Sequence, residues 1–336
     1  MYVVRTVKNK EKTLNNMTEG KTVAVVMCTY NGEKFLREQL DSILRQTYPI
    51  SEIIVQDDCS TDSTVAILRS YAARDGRVRV IVNEHNLGFN RNFRSAVMKA
   101  TADFVAISDQ DDVWMPDKIE RQVEAIGQYN ICYSDHLRGT TLEGAHTVSP
   151  RCSLEALMFG GFAGHTMLLR RDFVQRDDVW MDGIYYDWSL GLNAYFHGEK
   201  AITHIGKPLN WHRSHPQEAA LLQSLSVNPA PKSRPTWQPY VLGYAHFHRL
   251  QRKPTWQRLY SHILENTRGP RFHIHHTMAK LMLSRSPLAM LRLCTICMKH
   301  RRDIYPNATK TNGIMGMVRG FCWPMIFAYR CSQFDL

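Results

Sequence analysis

Three carboxylates crowd into four residues at Asp109, Gln110, Asp111 and Asp112. They close a short apolar run, Asp103 to Ser108, that reads as a buried strand. Carboxylates this close repel one another unless a cation sits among them. Mg²⁺ and Mn²⁺ take oxygen ligands, and Mg²⁺ is usually held by one or two carboxylates together with substrate phosphates. A strand end carrying Asp-x-Asp is therefore a place where a nucleotide diphosphate can be held through a metal. Alone, the cluster would read as a solvated helix cap.

It is not alone. Val23 to Cys28 is an apolar run closed by Thr29-Tyr30-Asn31-Gly32, and Glu52 to Gln56 closes in Asp57-Asp58-Cys59-Ser60. Val78 to Val82 closes in Asn83 to Gly88. Between these runs lie helical patterns: Leu36, Leu40, Ile43 and Leu44; Val65, Leu68 and Ala72; Phe93, Ala96, Val97 and Ala100. Strands alternating with helices predict βαβ units around a mostly parallel, Rossmann-like sheet flanked by helices. Ligands of open α/β sheets bind outside the carboxyl ends of the strands, where all four polar clusters fall. No Gly-x-Gly-x-x-Gly follows the first strand, and there is no Gly-x4-Gly-Lys-Ser/Thr loop. Phosphate charge must be met otherwise, and the acidic cluster with a divalent metal, Mg²⁺ or Mn²⁺, supplies the means.

Segments 25–43, 56–64, 86–93 and 108–118, in this order and spacing, resemble the family 2 glycosyltransferases, which have the GT-A fold. The run from Asp109 through Trp114 and Pro116 to Lys118 is most similar to a bacterial branch that includes rhamnosyltransferases of surface polysaccharides. The resemblance covers roughly residues 22 to 216. It implies that Thr29, Tyr30 and Asn31 line the base and ribose pocket, and that Asp58, with Asp57 beside it, accepts from the imide of a uracil or thymine. Arg91 would steady the base or a phosphate. Asp111 would bind the metal directly, and Asp109 would contact the ribose or join the metal. Where the family has glycine this chain has Cys59, tolerable only if the turn needs no positive φ. Ser60 or Thr61 would cap the following helix, and Asp117 the helix containing Ile119 and Val123.

An inverting sugar transfer needs a base for the acceptor hydroxyl. The resemblance places it at Asp187 in Tyr185-Tyr186-Asp187-Trp188, which by spacing alone would read as a helix N-cap. Gly160, Gly161 and Gly164, followed by His165, suggest backbone close to a ligand or a plain turn. Trp211-His212-Arg213-Ser214-His215 resembles the element that closes this branch's catalytic domain. There His215 would complete the metal shell or hold the diphosphate, and Arg213 would neutralise phosphate.

The 336-residue chain carries a net charge of +11, concentrated in its last third. Residues 226–336 hold 17 Lys/Arg against 3 Asp/Glu, after a proline-rich stretch at 227–235. The expected domains are a polar, disordered tail over 1–20, a GT-A catalytic domain over 21–225 and a basic, mainly helical extension over 226–336. No apolar stretch of the extension is long enough to span a bilayer, which needs about 20 residues. Basic charge beside Trp, Phe and Leu suits either an anionic membrane surface or a helical subdomain with solvated arginines. Zinc-finger spacing and RNP-like motifs are absent, which argues against nucleic acid. The eight cysteines form no disulfide framework, and Cys294 and Cys297 read as apolar thiols on one helix. With no apolar signal segment, a cytoplasmic setting is expected, peripheral on the inner face of the membrane if the extension binds lipid. Met17, close before the first strand, offers a second start position.

The reading is a transferase acting on a nucleotide-sugar (UDP- or dTDP-linked) and a glycan or lipid-linked glycan. Two rivals are an inactive relative serving as an assembly partner and a sugar-phosphate nucleotidyltransferase. The latter would want a Gly-rich loop with Arg and Lys after the first strand, which Thr29 to Gly32 lacks.

Overall fold

The computed structural model describes residues 20–214, 237–305 and 311–331. The N-terminal tail with Met17, the proline-rich stretch and the boundary expected near 225 lie outside the described residues. The chain forms two units. The first comprises the residues up to Ser149 with Ala163–Trp180 and His197–Ser214; the second comprises Pro150–Phe162, Met181–Phe196 and the described residues after 214.

In the first unit β1 (Val23–Thr29), α1 (Leu36–Leu44), β2 (Glu52–Asp57), α2 (Thr64–Ala72), β3 (Val78–Val82), α3 (Phe89–Val97) and β4 (Phe104–Ser108) alternate as expected. Strands β3, β2, β1 and β4 lie side by side in parallel. All of β4 and nearly all of β1 is buried, which explains their unbroken apolar runs: these strands are covered on both faces. Leu36, Leu40 and Ile43 of α1 pack into that core. On α2 the buried face is Thr64, Ile67, Leu68 and Tyr71; of the expected Val65, Leu68 and Ala72, Leu68 is fully buried and Ala72 packs half-buried against the core.

Beyond β4 the sheet stops being parallel. It continues through β8 (Met167–Arg170), β6 (Ile131–Gly139), β9 (Ile202–Arg213) and β5 (Val113–Trp114), with β7 (His146–Val148) hanging on β6. Strand β8 is antiparallel to both β4 and β6, and β9 is parallel to β6. This mixed half brings β9 next to the two-residue strand that follows the acidic cluster. Helix α4 (Lys118–Ile126) buries Ile119, Gln122, Val123 and Ile126.

Three local expectations are corrected. Cys59 adopts φ +67°, so the turn does require the left-handed conformation that glycine takes freely. Asp62, rather than Ser60 or Thr61, takes the Thr64 N–H at the start of α2. Asp117 makes no side-chain cap; its carboxylate pairs with Arg121 and Lys207.

The second unit contains α5 (Tyr186–Phe196), α6 (Gln238–Leu250), α7 (Pro254–Asn266), α8 (His273–Leu283), α9 (Pro287–Lys299), α10 (Gly313–Phe321) and α11 (Trp323–Arg330). Its core includes Trp188, Trp256, Tyr260 and Phe247. All eight cysteines are free thiols, and Cys294 and Cys297 are buried on α9. No helix among the described residues is long and apolar enough to cross a membrane.

The strained turn gives a test. Left-handed backbone at an L-residue costs about 1–2 kcal/mol, partly offset by the extra unfolded-state entropy of glycine. Cys59→Gly should raise the unfolding free energy by roughly 0.5–1 kcal/mol in urea titrations. Cys59→Ala should give no gain, since it keeps the strain and loses the Sγ–H bond to the Asn83 carbonyl.

Candidate active site

The loops after β1, β2 and β3 are fastened by two neighbouring aspartates. Asp57 is fully buried, and its carboxylate accepts from Thr29 Oγ1, Ser60 N and Ser60 Oγ. It therefore holds the β1 end to the turn from a fully buried position. Thr29 is likewise buried and committed to Asp57. Asp58 sits nearer the surface of the same turn. Its Oδ1 accepts from Asn83 Nδ2 and Leu87 N, both at 2.7 Å, and its Oδ2 from Gly88 N at 2.9 Å. A carboxylate oxygen has two lone pairs, so Oδ2 keeps room for a further donor.

Asn31 stands at φ +48°, a conformation asparagine tolerates, and its side chain accepts from Thr61 N. Tyr30 is 52% exposed and presents its ring outward, while Gln110 makes two hydrogen bonds to its backbone. Gln110 thus ties the acidic loop to the β1 end, a role nothing in its sequence context signals. Arg91 is exposed on α3.

Asp109, Asp112, His165 and His212 each offer a ligand atom within 4.8 Å of the others. Opposite ligands of one ion bound at 2.0–2.2 Å stand about 4.4 Å apart, so this donor set fits a divalent metal. Asp112 is fully buried; His212 Nδ1 lies 2.9 Å from its Oδ1, and His165 Nδ1 and Asn210 Nδ2 both lie 3.1 Å from its Oδ2. The His165 and His212 rings stack with centroids 4.8 Å apart, and His136 meets both edge-on. Asp109 and His212 are the members that reach the surface.

Burial raises the Asp112 carboxyl above its ordinary value, with His212 partly offsetting it. Burial and the neighbouring charge of His212 hold His165 well below the usual imidazole range and His136 down at about 4. These two rings are neutral at pH 7, the state in which imidazole binds metal. Beneath them Lys118, fully buried against the Trp114 ring, donates to the His165 carbonyl at 2.9 Å. Desolvation draws its ammonium down to about 7. One turn on, Gln122 donates to the Thr166 carbonyl at 2.7 Å. The same face of α4 therefore sets the backbone that carries His165.

The expected metal ligand Asp111 is not in this group. Asp111 is half-buried, and its carbonyl accepts from Arg213 Nε. His215 lies outside the described residues. Arg213 pairs with Glu38 and lies over the rings of Phe35 and Trp211 at 4.5 and 4.3 Å. Trp114 is a buried anchor whose strand pairs with β9, and Pro116 is exposed. Strand alternation was the available signal for His212: Asn210 and His212 share one face of β9, and both reach Asp112. His165 had only its place after the glycines.

In the second unit Asp187 occupies the first turn of α5 and accepts from Trp188 N at 2.7 Å. Desolvation is the largest influence on it and lifts its carboxyl to about 7, against the hydrogen bond from Trp188. The need for glycine at 161 is a packing matter: a Cβ there would lie 2.7 Å from the Trp188 Cα.

Residues 24–174 match the family model described as glycosyl transferase family 2. The chain is 36% identical over 112 residues to the putative teichuronic acid biosynthesis glycosyltransferase TuaG of Bacillus subtilis, covering 33% of this chain and 44% of that protein. It is 32% identical over 111 residues to the Escherichia coli UDP-Glc:alpha-D-GlcNAc-diphosphoundecaprenol beta-1,3-glucosyltransferase WfgD, covering 33% and 43%. The chain thus spans less than half the length of these curated relatives. The crystal structure of S. aureus TarS 1-349 in complex with UDP-GlcNAc superposes with a TM-score of 0.53 at 15% identity, over 92% of this chain and 91% of that one. The shared fold is the GT-A mixed α/β fold with a helical C-terminal region.

Asp112→Asn and His212→Ala should each weaken Mn²⁺ binding ten-fold or more by calorimetry. Unchanged affinity in both would show that the ion, if bound, sits elsewhere. Asp187 gives a second test. Its native carboxyl holds its proton more tightly than the unfolded one, so stability falls as pH rises from about 4 through 7. Asp187→Asn should flatten that part of the profile in denaturant titrations at stepped pH.

Proposed function

We propose that the protein is a glycosyltransferase that moves a sugar from a UDP- or dTDP-sugar to a glycan or lipid-linked glycan with inversion. The observation that carries this reading is the four-residue donor set of Asp109, Asp112, His165 and His212, which meets beside β4 in a family 2 domain. A divalent ion bound there would neutralise the diphosphate of the donor and of the departing nucleotide. Two imidazoles in the set favour Mn²⁺ over Mg²⁺, which prefers oxygen throughout.

Asp58 Oδ2 accepts the imide N–H of the pyrimidine, and the exposed ring of Tyr30 stacks on it. Asn31 keeps the turn in register. Arg91 and Arg213 supply positive charge towards the phosphates, and Asp111 extends the acidic loop on the side of the donor. The acceptor hydroxyl gives its proton to the Asp187 carboxylate as its oxygen bonds to the anomeric carbon. The bond from that carbon to the diphosphate oxygen breaks, and the nucleoside diphosphate leaves. A carboxyl titrating at about 7 is half ionised at neutral pH and matched to this work. The relatives named for teichuronic acid biosynthesis and for a diphosphoundecaprenol acceptor support a role in polysaccharide synthesis; the reading puts the protein peripherally at the inner face of the membrane.

The first experiment is thermal stabilisation by UDP, dTDP and GDP, each with and without Mn²⁺. A nucleotide at 100 times its dissociation constant should add about 2.7 kcal/mol. The shift should need Mn²⁺, vanish in Asp112→Asn and persist in Asp187→Asn. Transfer or donor hydrolysis should rise with pH through about 7 and fall at least about 100-fold in Asp187→Asn. No shift with any nucleotide would reject the reading.

A further inference from the structure

The outer helices of the second unit are built inside out. In α10 the positions turned to the protein are Gly316 and Gly320, both buried and one turn apart. A Cβ at Gly320 would lie 2.8 Å from Arg301 Cβ and 3.1 Å from Met298 Cα, and one at Gly316 would lie 2.2 Å from the Thr311 carbonyl. The large side chains stand outside: Ile314 is 80% exposed, Met315 61%, Met317 42% and Val318 44%. Helix α9, which contributes Met298 to that contact, adds Leu288 at 77% and Leu291 at 53%.

The charges carried by these two helices are also of one sign. Arg292 and Lys299 follow Leu288 at helical spacing and are exposed, as is Arg285 just before α9. Arg319 lies on α10, and neither helix contains an Asp or Glu. An apolar stripe rimmed by cations is what an anionic lipid surface accommodates: the side chains enter the acyl boundary while the guanidinium and ammonium groups meet the headgroups. Helices of thirteen and nine residues are too short to span, so such contact is shallow.

We propose that the exposed face of α9 and α10 docks this protein on an anionic bilayer, with Leu288, Leu291, Ile314 and Met315 inserting and Arg292 and Lys299 contacting headgroups. This deepens the membrane part of the reading above by naming the surface.

The test is co-sedimentation of the full chain with vesicles of phosphatidylcholine alone or mixed with phosphatidylglycerol. Binding should require phosphatidylglycerol and weaken with salt. The pair Arg292→Glu and Lys299→Glu should reduce partitioning by at least about twenty-fold, since each basic residue is worth about 1 kcal/mol at such a surface. Leu288→Ser combined with Ile314→Ser and Met315→Ser should also abolish it. All five positions are exposed, and unchanged melting would confirm that the variants fold. Wild-type binding to neutral vesicles alone, no binding, or binding unaffected by either set would overturn the proposal. So would a dimer in solution that the serine set dissociates, which would make a second copy the occupant. Stabilisation by UDP, read on the same samples, reports the donor site separately, so the two readings can fail independently.

Discussion

A carboxylate with no exposure to water organises the first unit. Burying Asp112 costs several kcal/mol unless its oxygens are met by donors. Its partners come from far along the chain: His212 and Asn210 from β9 and His165 from the turn before β8. They can converge only if β8 reverses direction beside β4 and β9 returns to pair with the short strand after the acidic loop. The departure from a parallel sheet is thus the geometry that lets a strand end carrying three aspartates be satisfied. Lys118 and Gln122 extend the same constraint downward. They fix the carbonyls of His165 and Thr166 and hence the ring that faces Asp112.

The loops after β1, β2 and β3 are held by hydrogen bonds between them rather than by burial of apolar surface. Asp57, Asp58, Asn31, Ser60 and Gln110 each join segments that are distant in sequence. Such cross-links lower the entropy that a ligand would otherwise have to remove on binding. They also explain why a turn with cysteine in the left-handed region persists: the hydrogen bonds of Asp57 and Asp58 on either side over-determine its conformation.

The parallel half was legible in the sequence because each strand and helix there carries its own periodicity, and the chain meets its neighbours in order. The four strand-end clusters followed from that alone. The candidate metal set was only half legible. Asp109 and Asp112 sit in the motif, but His165 and His212 belong to elements whose pairing depends on long-range closure. β9, with Gly206, Lys207 and Pro208 inside it, does not alternate cleanly, and register shifts against β6 near Pro208 obscure it further. The fastening role of Asp57 was hidden for a related reason. Two adjacent aspartates at a strand end look equivalent in sequence, yet strand alternation turns one inward to Thr29 and Ser60 and leaves the other at the rim.

The second unit shows the opposite relation between sequence and water. A nine-residue helix with two internal glycines gives up about 1 kcal/mol per glycine relative to alanine. The same helix then leaves four large apolar side chains uncovered, which isolated exposed residues on a surface rarely amount to. A helix needed only for packing would turn Ile314 and Met315 inward and carry polar residues outside. Gly320 instead lets the backbone approach Arg301 and Met298 closely, Gly316 does the same against Thr311, and the large residues are held out. The excess of lysine and arginine over acid across the last third has no counterpart in the first unit, so charge and apolar exposure are segregated onto the same part of the chain. Neither propensity nor core packing supplies a reason for these two costs borne together on basic helices, and the proposed bilayer contact would take up both.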